Sequence, residues 1–76
     1  MAASAFVLIE TAVGRSKEVV NTISKIKGVK LVNTGTGPYD IIALMEADNL
    51  NDIGDLITGN IHDIDGISRT VTCLTV

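Results

Sequence analysis

Two runs of this chain are apolar on both faces of an extended strand: Ala5-Phe6-Val7-Leu8-Ile9 and Ile41-Ile42-Ala43-Leu44-Met45. Successive side chains of a strand point to opposite sides. Phe6 and Leu8 therefore share one face of the first run, and Ala5, Val7 and Ile9 the other. In the second, Tyr39, Ile41, Ala43, Met45 and Ala47 point one way, and Asp40, Ile42, Leu44 and Glu46 point the other. Such a strand must be covered from two sides. Both runs belong at the centre of a sheet, with something packed on each of its faces.

The amount of apolar side chain sharpens that demand. The 76 residues make a single domain, 1–76. A chain of this size buries only about 60% of its unfolded surface. Yet 46% of its residues are hydrophobic and the mean hydropathy is +0.39. One small core cannot hide so much, so a partner is expected to cover the remainder.

In chain order, Ser4 to Ala12 read as strand one, and Val13-Gly14-Arg15 as a turn. Ser16 is placed to cap a helix running to about Ile26, with Val19, Val20, Ile23 and Ile26 at helical spacing. Arg15, Lys17 and Lys25 read as its solvated face. Gly28 ends the helix. Val29 to Thr36 form strand two, polar enough to be an edge. Gly35-Thr36-Gly37-Pro38-Tyr39-Asp40 is turn chemistry that runs without a break into strand three, which ends near Ala47. Asn49 caps a second helix with Asp52 at its third position, and Leu50, Ile53, Ile57, Ile61 and Ile64 make its apolar stripe. Gly54 and Gly59 sit inside that helix, where each costs roughly 1 kcal/mol against Ala. Ile67 to Val76 form strand four, with Ser68, Thr70 and Thr72 on one face and Ile67, Arg69, Val71 and Cys73 on the other.

The order is β-α-β-β-α-β, an α+β ferredoxin-like plait. Lys27-Gly28-Val29-Lys30 and Asp65-Gly66-Ile67-Ser68 stand at matching places in its two halves. Right-handed crossovers put strands one and three in the middle and two and four outside, with both helices on one sheet face. The other face is apolar and has nothing of its own to cover it. A second copy laying its sheet on this one, a dimeric α/β barrel, is the simplest solution.

Charge and chemistry narrow the function. The net charge is −3 and the pI about 4.7, which argues against a phosphate-binding surface. With one Tyr, one Phe and no Trp there is little to stack on bases. A single cysteine, Cys73, forms no internal disulfide and fits a reducing compartment; it is expected to be buried and inert. No apolar run approaches the roughly 18–20 residues of a membrane span. No basic residue precedes the first apolar run and Glu10 interrupts it, so a signal peptide is not indicated. The expected compartment is the cytoplasm.

Gly35-x-Gly37 is no dinucleotide fingerprint, because it lacks the third glycine and leads into a strand. It is a hairpin turn whose Thr36, Gly37 and Tyr39 N–H groups can also hold a small carboxylate. Asp40 has two open readings: it caps the turn through backbone N–H groups, or it accepts a ligand ammonium. Tyr39 reads as a packing ring with its hydroxyl bonded. His62, Asp63 and Asp65 lack an evident third metal ligand and read as a solvated helix end. No metal or cofactor is indicated. No Ser/His/acid or Cys/His set assembles, so catalysis is not expected.

The pattern resembles the ligand-sensing domain of Lrp/AsnC-type regulators, often called the RAM domain. The resemblance rests on Ala5-Phe6-Val7-Leu8-Ile9-Glu10-Thr11, Gly28-Val29, Thr36-Gly37-Pro38-Tyr39-Asp40-Ile41-Ile42-Ala43, Asp48-Asn49-Leu50 and Ile64-Asp65-Gly66-Ile67-Ser68-Arg69-Thr70. It implies dimers joined through their sheets, assembled into larger rings, often octamers, with a free amino acid bound between dimers. Carried over by position, the pocket residues are Thr36, Gly37, Pro38, Tyr39 and Asp40, with Ser68, Arg69 and Thr70 opposite. The turn N–H groups and the Ser68 and Thr70 hydroxyls would meet the ligand carboxylate, and Asp40 or turn carbonyls its ammonium. Nothing precedes strand one where the usual regulator carries a helix-turn-helix, so a stand-alone version is expected, one that stores or senses amino acids or co-assembles with full-length Lrp/AsnC regulators and tunes them, without touching nucleic acid itself. The rival reading is a small dimeric α/β-barrel enzyme of the monooxygenase or isomerase kind, which shares the same plait.

Overall fold

The computed structural model describes residues 2–75. Four strands, β1 (Ala3–Thr11), β2 (Val29–Thr34), β3 (Ile41–Ala47) and β4 (Ile67–Thr75), form one antiparallel sheet in the order β2-β3-β1-β4. Helix α1 (Ser16–Ile23) links β1 to β2, and α2 (Leu50–Leu56) links β3 to β4. The βαββαβ plait and the central placing of β1 and β3 are as the sequence dictates. The expectation for Val76 at the end of strand four lies outside the described residues.

Burial follows the parity of the two central strands. Ala5, Val7 and Ile9 of β1 and Ile41, Ala43 and Met45 of β3 face the helices and are fully buried against Val19, Ile23, Ile53, Ile57 and Ile61. Cross-strand pairs Ala5–Met45, Val7–Ala43 and Ile9–Ile41 lock that layer in register. The opposite face stays open. Phe6, Ile42 and Leu31 are 41%, 40% and 57% exposed, and Leu8, Leu44 and Val71 are half-buried.

Several local expectations are corrected. Cys73 is exposed. It pairs with Phe6 on the open face, because β4 turns Thr70, Thr72 and Leu74 toward the helices, opposite Ile9, Val7 and Ala5. Ser16 is the first helical residue of α1 rather than its cap. Arg15 holds the cap position without a side-chain bond, and the Ser16 hydroxyl is 2.8 Å from that of Thr11. α1 also stops before Ile26: Ser24 N–H still reaches back four residues to Val20, but Lys25 and Ile26 bond three residues back, to Thr22 and Ile23. Arg15 is no free surface cation, since its guanidinium bonds both Glu18 and Asp65 and ties α1 to the loop before β4.

The second helix starts as read, with the Asn49 side chain accepting from Asp52 N–H at 2.9 Å. It does not continue as an α-helix. Ile57–Ile61 is a π-helical turn, closed by His62 N–H bonding the Ile57 carbonyl at 3.0 Å. The turn holds Gly59 and still buries both Ile57 and Ile61. Leu50, placed on the apolar stripe, is instead 54% exposed.

The matched glycines of the two halves play the same part. Gly28 and Gly66 have φ of 101° and 102° and stand just before β2 and β4. Each packs against the helix of the other half. A Cβ on Gly28 would lie 3.1 Å from Leu56, and one on Gly66 would lie 3.0 Å from Val19. Gly66→Ala is therefore expected to cost about 1–3 kcal/mol, from left-handed backbone strain plus that contact. A lower urea midpoint with unchanged m-value would show it.

Candidate functional site

The turn between β2 and β3 is closed at its base. Gly35 N–H donates to the Asp40 carbonyl at 2.9 Å, and Asp40 N–H donates to Ile9 of β1 at 2.9 Å. Gly37 takes φ 128°, a conformation that other residues adopt rarely. Gly35 does not need that freedom, because its φ is not positive. Thr36, Gly37 and Pro38 are exposed, and Tyr39 and Asp40 half-buried. Among the described residues the N–H groups of Thr36, Gly37 and Tyr39 have no protein acceptor.

The Asp40 carboxylate bonds a backbone N–H, but one on another strand rather than in its own turn. Its Oδ2 accepts the Thr11 N–H at 2.9 Å. The bond crosses from the mouth of β3 to the end of β1, where the β1–β4 register shifts between Glu10 and Thr11. A bulge there strands a backbone donor, and Asp40 satisfies it. The sequence offered no sign of Thr11 as partner, because the two residues are 29 positions apart.

Tyr39 meets strand four within the subunit. Its hydroxyl accepts from Arg69 Nη2 at 3.1 Å, and the Arg69 guanidinium lies 6.0 Å from the ring centroid, at the outer limit of a cation–π contact. The hydrogen bond is the firmer link. It is also the largest reason that the Arg69 proton is held more tightly than in an ordinary guanidinium, the charge of Glu10 adding to it. Glu10, which stands opposite Arg69, was not singled out as a site residue. Its mark in the sequence is that it interrupts an otherwise apolar run.

Ser68 and Thr70 part company. Ser68 falls in the bulge, since Arg69 faces Glu10 while Ile67 faces Thr11, and it is exposed. Thr70 is on the helix side, where its hydroxyl is 3.2 Å from His62 Nε2. The structure thus groups the turn with Arg69 and turns Thr70 away. Thr70 and His62 instead help to line a cleft of about 500 Å³ between α2, the π turn and β4, with Leu50, Ile53, Thr72 and Leu74 on its walls. No residue of the turn borders this cleft. Among the described residues no three His, Cys, Asp or Glu side chains come together as a metal site, and no helix is long and apolar enough to cross a membrane.

This surface is a turn with free backbone donors beside a guanidinium, which suits a small carboxylate. The comparisons with known proteins agree on the kind of domain. Residues 4–76 match the model of the Lrp/AsnC ligand-binding domain. An uncharacterized HTH-type transcriptional regulator of Pyrococcus furiosus is 36% identical over 56 residues, which are 74% of this chain and 37% of that protein. The chain therefore matches little more than a third of the length of such curated relatives. A crystal structure of a Thermus thermophilus protein superposes with a TM-score of 0.93 at 32% identity, covering 97% of this chain and 92% of that one. A Neisseria meningitidis transcriptional regulator solved as its L-Met complex shares the fold, with a TM-score of 0.86 at 13% identity over 97% of this chain and 49% of its own.

Proposed function

From the premise that this chain belongs to the Lrp/AsnC ligand-binding domain family, we propose that it is a non-enzymatic effector module. It binds a free amino acid at the turn of residues 35–40 and passes occupancy, through its oligomeric state, to transcription regulators of the same family in the cytoplasm. The observation that carries this reading is the set of N–H groups of Thr36, Gly37 and Tyr39, without acceptor among the described residues, on the turn whose Tyr39 hydroxyl is bonded by the Arg69 guanidinium. Fixed backbone donors next to a cation select an anion without reorganising. That a Neisseria meningitidis regulator of this fold was solved with L-Met supports an amino acid as the class of ligand.

The open sheet face supports assembly. A contiguous surface of Phe6, Leu8, Leu31, Ile42, Leu44 and Val71 is what a sheet-to-sheet dimer buries. Rings of such dimers, octamers among them, would put the turn at a junction between copies, where ligand occupancy can bias association.

Calorimetry with each of the twenty amino acids, paired with native mass spectrometry, tests the reading. At least one amino acid is expected to bind, and Arg69→Ala is expected to weaken it tenfold or more. Silence across the whole set would refute the proposal. The rival enzyme would work in the cleft under α2, where His62 and Thr70 lie. Ligand density there and not at the turn would favour it.

A further inference from the structure

The charges around the turn are distributed in a way that assigns the two ends of the ligand, and this rests on the amino-acid reading above. Asp40, within the turn, commits Oδ2 to the Thr11 N–H at 2.9 Å, which ties its carboxylate to β1. Glu10 and Arg69 stand directly opposite each other on β1 and β4, which sets their Cβ atoms about 4.5–5.5 Å apart. They are nevertheless not joined. The Arg69 guanidinium is turned to the Tyr39 hydroxyl, and the ion pairs among the described residues link Arg15 to Glu18 and Asp65 and Lys30 to Glu46. An anion and a cation therefore sit side by side at the end of the open face, neither neutralising the other through direct contact.

An α-amino acid carries the complementary pair, a carboxylate and an ammonium one carbon apart. We infer that Glu10 receives the ligand ammonium while Arg69 and the turn N–H groups receive its carboxylate, and that Asp40 is a positioning residue that holds the turn against β1. The alternation along β1 supports this. Glu10 is the residue after Phe6 and Leu8 on the open face, and it breaks that apolar row where Arg69 arrives. A carboxylate on a dimerising face is costly unless a cation meets it. Arg69 leans to Tyr39, so the remaining acceptor capacity of Glu10 is open to a ligand.

The test is calorimetry on the full chain with the tightest binder among the twenty amino acids and with the same compound lacking its amino group. The wild type is expected to prefer the amino acid by about tenfold or more. Glu10→Gln should lose that preference while binding the deaminated acid as the wild type does. Asp40→Asn, measured below its melting temperature, should keep the preference. If Glu10→Gln retains the preference, or folded Asp40→Asn loses it, the inference is overturned and amino-acid binding itself still stands. If the wild type binds none of the twenty, the parent reading fails and the inference fails with it.

Discussion

Phe6→Asp is expected to leave the fold intact and to release single subunits of 8.0 kDa at micromolar concentration. Phe6 is 41% exposed at the middle of the open face, between Leu44 on β3 and Cys73 on β4. In an isolated subunit an Asp there is solvated and touches nothing in the core. In a sheet-to-sheet dimer it appears twice, because a two-fold axis repeats every residue. Two carboxylates would replace two rings, each ring worth about 1.5–3 kcal/mol when buried, and the charges would have to be dehydrated. The dimer constant should weaken by two orders of magnitude or more. Sedimentation velocity with circular dichroism reads both halves of this result. Val13→Asp, at a fully exposed loop position, is the control and should change neither. A wild type that is already monomeric would remove the basis for oligomeric signalling.

Ile41→Ala is expected to produce the largest loss of stability. Ile41 is fully buried, pairs with Ile9 on β1 and Thr34 on β2, and follows directly on the turn. Truncating a buried Ile costs about 2–5 kcal/mol, depending on how far the site collapses. A domain of this length has about 4–11 kcal/mol in all. The melting temperature should fall by roughly 10–30 °C. Ligand affinity should fall as well, since the turn is fastened to β1 through Asp40 N–H and the Ile9 carbonyl, next to the gap that Ala would leave. Ile42→Ala, one residue on but 40% exposed on the other face, should change the melting temperature of a dilute subunit far less and weaken assembly instead. Equal losses at the two positions would contradict the assignment of faces.

The paired substitutions at Ile41 and Ile42 also show what was readable in advance. Period-two alternation, two doubly apolar strands and two helical stripes lead to a βαββαβ plait with β1 and β3 inside, and the repeated Gly28 and Gly66 mark equivalent joints. The turn at residues 35–40 was legible for the same reason: glycine and proline impose local geometry that no distant contact has to supply. The functions of single polar residues were not. Asp40 carried two equally good local readings, and the backbone donor it meets lies on a neighbouring strand, 29 residues away. Glu10 looked like an interruption until the ladder set it against Arg69. Cys73 was expected to be buried because β4 alternates polar and apolar residues too weakly to declare its orientation; pairing with β1 sets it opposite Phe6 on the open face. The π turn at Ile57–Ile61 was hidden because its isoleucines repeat at spacings an α-helix also accepts.

By itself, then, the order of residues decided which segments become strands and helices, which pair of strands lies innermost, and that one broad surface stays oily. Those outcomes follow from local sterics and from apolar periodicity, both of which act over a few neighbours at a time. Tertiary structure alone decided which hydroxyls and carboxylates meet: Asp40 with Thr11, Tyr39 with Arg69, Thr70 with His62. Each of those meetings depends on register across strands or on the path of the chain between α2 and β4, and a shift of one residue in a ladder exchanges the two faces of a strand.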